Sequence, residues 1–256
     1  MDNEALIERM VAGDRTAFDA LVAPELPRLR SFLMRLVANP HDADDLVQET
    51  TLQAYRKRAE FRGESSFATW LFAIGSRLGL TLLRSRKRWA MTTQLDMHDL
   101  TDDRPEFLAQ LGGEISRPEF RYQVAEHVAY CFSCIGRALD PEDSAAVILV
   151  EVFQLSAGEA AKMIDLSEST FRHRLSAGRK AMMAAFDDLC ALVNKRGACH
   201  QCKTLRDASP ADRQGDEPPE LVEFSRRLAV VRDANVVDGP TARLHALMLG
   251  FIANNV

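Results

Sequence analysis

The sequence predicts an all-α protein: two helical domains joined by an acidic linker, followed by a helical C-terminal extension. Three observations predict it. Apolar residues recur at helical spacing almost everywhere, no stretch shows convincing strand alternation, and the charge changes sign sharply near the middle of the chain. A length of 256 residues suits two modest domains at about 150 residues each. With 46% hydrophobic and 27% charged residues, the composition is that of a globular protein and excludes a wholly disordered or collagen-like chain.

The first domain, 1–90, is set by Leu6, Ile7, Met10 and Val11, then Leu29, Phe32, Leu33 and Leu36, then Phe67, Trp70, Leu71, Ile74 and Leu78, each group one helix face. Asp42 is placed to cap a helix whose first turns project Asp44, Asp45, Gln48 and Glu49; acids there also complement the helix dipole. Between Tyr55 and Arg88 nine basic residues face only two acids, which marks a candidate phosphate-binding surface despite a formal net charge of -5. Within it, Phe67, Trp70, Leu71 and Ile74 keep core spacing, so Trp70 is expected to pack rather than touch a ligand.

A linker, 91–120, follows. From Trp89 to Phe120 seven acids stand against Arg104 and Arg117, with Gly112, Gly113, Pro105 and Pro118, so at most a short helical turn is expected there.

The second domain, 121–189, contains a helix-turn-helix pattern. Ser156 with Glu159 is a capping box, opening a short helix from about Ala157 to Ile164. Asp165 tolerates the left-handed backbone of a tight turn, Ser167 caps the next helix, and Glu168 suits its positive end. In that helix Phe171, Leu175 and Met182 point inward, leaving Ser169, Arg172, His173, Ser176, Arg179 and Lys180 for a partner. Two helices joined by so short a turn, the second basic, match the motif that enters the DNA major groove.

The extension, 190–256, is expected to hold a loop over Asp207–Pro219 and helices at Glu220–Asp233 and Thr241–Ala253, with Pro240 suited to a first helical turn. His127, Cys131 and Cys134 share one helix face at i, i+4 and i+7, and Cys199-His200-Gln201-Cys202 adds a second C-x-x-C pair. Cys131, Cys134, Cys199 and Cys202 are candidate zinc ligands, with His127 and Cys190 as substitutes; buried small hydrophobes are the plainer reading. No apolar stretch reaches the roughly 20 residues of a membrane span, and Met1 to Glu4 do not resemble a secretory signal, so a cytoplasmic location with reduced thiols is expected.

Residues 42–88, from Asp42-Ala43-Asp44-Asp45 through Phe61-Arg62-Gly63-Glu64-Ser65-Ser66 to Arg86-Lys87-Arg88, resemble the second conserved region of the extracytoplasmic-function sigma factors of bacterial RNA polymerase. Residues 155–182 are similar to the fourth region of the same family. The resemblance implies a non-enzymatic sigma subunit that directs core polymerase to promoters. Asp44, Asp45, Gln48 and Glu49 would bind the beta-prime clamp. Arg62, Gly63, Glu64 and Ser65 would capture a melted base of the minus-ten element. Arg77, Arg84, Arg86, Lys87 and Arg88 would hold phosphates. Ser169, Thr170, Arg172, His173, Arg174, Arg179 and Lys180 would engage the minus-thirty-five element. An anti-sigma factor is a further expected partner. Arg77, Thr81, Asp165 and Ala177 depart from the family's usual residues; Ala177 would remove a phosphate contact. A stand-alone helix-turn-helix regulator and a zinc- or redox-responsive interaction protein are the alternatives.

Overall fold

A computed structural model describes residues 3–93, 96, 104–190, 192–193, 196–197, 199, 201–213 and 223–255. Among these residues the regular structure is helical, apart from one isolated backbone bridge between Cys190 and Cys199.

The first unit is built from α1 (Asn3–Val11), α2 (Arg15–Val22), α3 (Leu26–Val37), α4 (Pro40–Arg56) and α5 (Phe67–Ser85). Each start has a local cause. Asp14 accepts hydrogen bonds from the Thr16 and Ala17 N–H groups to open α2, and the Ser66 hydroxyl accepts from Thr69 N–H to open α5. At α4 the cap is Asn39, whose side chain accepts from Asp42 N–H, with Pro40 in the first turn. The expected cap, Asp42, lies inside the helix, because proline fills a first-turn position that needs no N–H donor and so moves the start upstream. α3, α4 and α5 pack on one another, and α1 packs on α2.

The expected linker holds a full helix, α6 (Pro105–Ile115), rather than a brief turn; residues 97–103, with three of its acids, lie outside the described residues. Pro105 starts α6, and Phe107 anchors it by stacking on Phe251 at 4.0 Å between ring centres. Packing at a distance of over a hundred residues overrides the two glycines.

The second unit comprises α7 (Val124–Ala138), α8 (Pro141–Val147), a π-helical turn Ile148–Val152, α9 (Ala157–Met163) and α10 (Glu168–Leu189). The capping box between Ser156 and Glu159 forms, Asp165 adopts φ 58°, and the Ser167 hydroxyl accepts from Thr170 N–H. Gly178 lets α10 approach α8: a Cβ there would stand 2.6 Å from the Asp143 carbonyl oxygen.

The extension contributes α11 (Gln201–Ala208), α12 (Phe224–Asp233) and α13 (Ala242–Asn255). Residues 220–222 of the expected Glu220–Asp233 helix, and 214–219 of the expected loop, are outside the described residues. α12 lies on α7 and the π-turn, and α13 on α6 and α7. Glu126 of α7 opens α13 from a distance, its carboxylate accepting from Thr241 N–H at 2.7 Å and from the Thr241 hydroxyl. Beside it His127 Nδ1 meets His245 Nε2 at 2.9 Å; burial holds His127 down to about 4 and lowers His245 as well.

The two helical units pack directly on one another through one continuous core. α3 lies against α7, and α5 against α8 and α9. Phe153, just beyond the π-turn, sits between Phe32 and Phe72, with ring centres 5.8 and 6.2 Å away.

Candidate nucleic-acid interface

The acidic patch on α4 is partly open. Asp45 and Gln48 are exposed, and Leu52, 49% exposed, continues their stripe one turn further along the same face. Asp44 is drawn aside by a two-pronged ion pair with Arg30, and Glu49 accepts a hydrogen bond from Gln53 Nε2 at 3.0 Å. Sequence reasoning missed Leu52. Its signal was a bulky apolar residue at i+7 from Asp45, on the polar face of the helix.

The loop before α5 exposes Arg62, Gly63 and Glu64, with Ser65 half-buried and Gly63 at φ 73°. Trp70 stands behind this loop, half-buried, 5.3 Å from Phe61 and 5.8 Å from Phe67 between ring centres. It braces the loop, as expected from its spacing. Arg77 and Thr81 are exposed one turn apart on α5, each bonded to a carbonyl of its own helix.

At the end of α5 the exposed arginines already hold carboxylates. Arg84 pairs with Glu142, Arg86 takes both oxygens of Asp42, and Arg88 reaches Asp140 at 3.4 Å. Asp140 is also the N-cap of α8. A side-chain hydrogen bond with Asp140, and then Arg84, hold the Glu142 carboxyl down to about 2, while burial first pushes Asp140 up. Lys87 is exposed, and its carbonyl accepts from the buried Arg137, whose guanidinium lies 5.2 Å from the Trp89 ring centre.

On α10 the residues predicted to face inward, Phe171, Leu175 and Met182, are buried. Ser169, Thr170, Arg172, His173 and Lys180 form an exposed face, with Ser176 and Ala177 between them. Arg172 is steadied by Glu168 one turn earlier. Two other predicted contact residues are engaged within the protein: Arg174 bonds Asp143 at 3.3 Å and Asp140 at 3.4 Å, and Arg179 pairs with Glu151. Their place on the helix was legible, but their acidic partners on α8 and the π-turn were not.

None of the five cysteines is in a disulfide. Burial, and then the neighbouring Cys199, Cys202, Cys134 and Cys190, push the Cys131 thiol well up; burial takes Cys202 to about 12. These are protonated, sluggish thiols at neutral pH. Among the described residues, no group of three or more His, Cys, Asp or Glu side chains is placed to hold a metal ion; His200 is outside them. Nor is any helix among them long and apolar enough to cross a membrane.

Two family models match the chain: Sigma-70 region 2 over residues 21–89, and Sigma-70, region 4, over residues 133–182. The ECF RNA polymerase sigma-E factor of Escherichia coli (strain K12) is 31% identical over 186 residues, covering 71% of this chain and 93% of its own. That of Haemophilus influenzae is 30% identical over 182 residues, covering 70% and 93%. Nearly whole relatives thus fit within about seven-tenths of this chain, and both family models end before residue 190. In fold the chain is similar to CnrH, solved in complex with the cytosolic domain of CnrY, with a TM-score of 0.50, 23% identity and coverage of 72% of this chain and 97% of that one.

Proposed function

Because the chain belongs to the extracytoplasmic-function sigma factors of bacterial RNA polymerase, we propose the following division of labour among its surfaces. As a sigma factor it binds core polymerase, directs it to promoters and starts transcription. The α4 stripe of Asp45, Gln48 and Leu52, with Asp44 and Glu49 at its edge, docks on the beta-prime clamp, the charged groups steering and the leucine anchoring. The loop Arg62–Ser65 receives a melted minus-ten base, while Arg77, Arg84, Arg86, Lys87 and Arg88 hold the strand by its phosphates. The α10 face reads the minus-thirty-five duplex in the major groove through Arg172, His173, Ser169 and Thr170, with Lys180 on phosphate. Arg174 and Arg179 keep a DNA role only by exchanging a carboxylate for a phosphate. The chain performs no catalysis, works in the cytoplasm alongside polymerase, and is restrained by an anti-sigma factor; this last proposal rests on family membership alone.

The observation that carries this reading is the exposed α4 stripe on a chain that also presents a duplex-reading helix. A stand-alone regulator has no use for the stripe. The test is transcription from a promoter template by core enzyme with and without the purified chain, together with D45K/E49K. The wild type is expected to confer start-site selection, and the double variant to fold but lose co-purification with core. Retained co-purification would remove α4 as the docking surface.

Zinc is a separate proposal. Cys131, Cys134, Cys190, Cys199 and Cys202 lie close enough together to raise one another's pKa, and a divalent cation that displaced their protons would offset that cost. Binding requires His200 or a rearrangement of 190–202 to complete the donor set. Stoichiometric zinc in purified protein, with melting lowered by a chelator, supports it; metal-free protein with unchanged melting ends it.

A further inference from the structure

Parts of the molecule that a promoter-bound chain must separate are here held together. Arg84 and Arg88 of the first unit and Arg174 of the duplex-reading helix all end on one acidic turn at the start of α8. Glu142 takes Arg84, Asp140 takes Arg88 and Arg174 at 3.4 Å each, and Asp143 takes Arg174 at 3.3 Å. Carboxylates of the second unit therefore occupy guanidinium groups assigned above to phosphates.

The extension seals this arrangement from both sides. Arg35 of α3, buried, donates from one nitrogen to the Val231 and Ala234 carbonyls at the end of α12, each at 3.1 Å. A few residues away Arg232 donates back to the Glu151 carbonyl in the π-turn, and Asp238 lies 3.7 Å from Arg30. The stretch from Val231 to Asp238 thus grips the first unit with one hand and the second with the other. Behind it Leu228, Val231, Leu244, Met248, Leu249 and Ile252 are buried.

Size decides whether this closed body can act on a promoter. The accessible surface of 12686 Å² is close to the ~11,300 Å² of a compact chain of 28.6 kDa. Such a chain has a radius of gyration of about 18 Å and a diameter of roughly 45 Å. The names minus-ten and minus-thirty-five put the two elements about 25 base pairs apart, ~85 Å at ~3.4 Å per pair. One closed body cannot reach both.

We infer that residues 223–255 are an in-chain clasp that holds the two promoter-reading units in a closed resting state, with acids of the second unit standing where DNA phosphates bind. This rests on the sigma reading. Initiation then requires release of the clasp when the exposed α4 stripe docks on core polymerase, after which Arg84, Arg88 and Arg174 pass from carboxylate to phosphate.

The test uses the full chain and R35M/D140N, which removes the grip of α3 on α12 and the carboxylate shared by Arg88 and Arg174, while asparagine keeps the cap of α8. Solution scattering should give the wild type a radius of gyration of about 18–20 Å. The variant should be larger, retain its helical circular dichroism, and bind a minus-thirty-five duplex about tenfold more tightly, as expected when a mostly closed population is freed. An extended wild type, or a variant of unchanged size and affinity, overturns the clasp. Should the double variant unfold, D140N alone is read for duplex affinity and the wild-type scattering still decides closure. Transcription with core enzyme separates the two readings. Initiation by both chains with no change in size leaves a sigma factor without a clasp; opening without initiation by either leaves a clasp on a chain that is not a sigma factor.

Discussion

The exposed face of α10 and the arginine-rich end of α5 are both basic, yet they stand in opposite states. On α10 the side chains suited to base edges, Ser169, Thr170, Arg172 and His173, face solvent, with Arg172 paired only to Glu168 of its own helix. At the end of α5, Arg84, Arg86 and Arg88 are each paired with a carboxylate, and Arg174 shares Asp140 with Arg88. Base contacts specify a sequence, whereas phosphate contacts supply most of the affinity. On the proposed assignment of these surfaces, the closed chain displays its specificity and withholds its affinity. The withholding is cheap to reverse, because partly exposed ion pairs are worth at most about 1 kcal/mol each. What keeps the units together is the grip of residues 223–255 and the apolar contact beneath the pairs.

The largest expected effect tests that last point. Phe153 fills the space between Phe32 and Phe72, and the Arg28 guanidinium lies over the Phe72 and Phe153 rings at 5.6 and 5.7 Å. F153A should lower stability by about 3 kcal/mol, the lower end of the range for aromatic truncation since the ring is only partly buried, and should unlink the units in denaturant titrations. If unfolding keeps its midpoint, the grip of residues 223–255 and the ion pairs hold the seam without that ring. Next comes specificity. R172A should reduce discrimination among minus-thirty-five sequences by about 1–3 kcal/mol while leaving binding to random duplex nearly unchanged. K180Q should do the reverse, weakening all sequences alike and reducing the salt slope by about one. Competition binding at two salt concentrations distinguishes them.

How much of this contrast was legible in the sequence depends on how local its cause is. The helix-turn-helix was readable because its determinants lie within a few residues: Ser156 with Glu159, the left-handed Asp165, and Ser167 before an apolar series. Trp70 was assigned to packing on the same grounds. The start of α4 shifted from Asp42 to Asn39 because two capping residues flank one proline, and only the backbone decides between them. α6 was underestimated because Phe251, which anchors Phe107, is far along the chain. The seam itself left no periodic trace. Arg35 sits among Phe32, Leu33, Leu36 and Val37, and these neighbours give no sign of a distant partner. It is in fact the donor to two carbonyls almost two hundred residues away.

The smallest effect sharpens the comparison from inside the second unit. Ser156 and Glu159 exchange hydrogen bonds at the start of α9, and the Ser156 hydroxyl and backbone N–H hold the Glu159 carboxyl below its usual range. S156A should cost about 1 kcal/mol, as loss of a capping serine usually does. α9 also packs on α5, so the frayed end would loosen the seam before it disturbs α10. Hydrogen exchange should therefore quicken in 157–160 and along the facing turns of α5, while Phe171 and Leu175 amides keep their protection. Faster exchange throughout α10 would mean that the reading helix depends on the same contact that confines the arginines, and that the two basic regions are not independent.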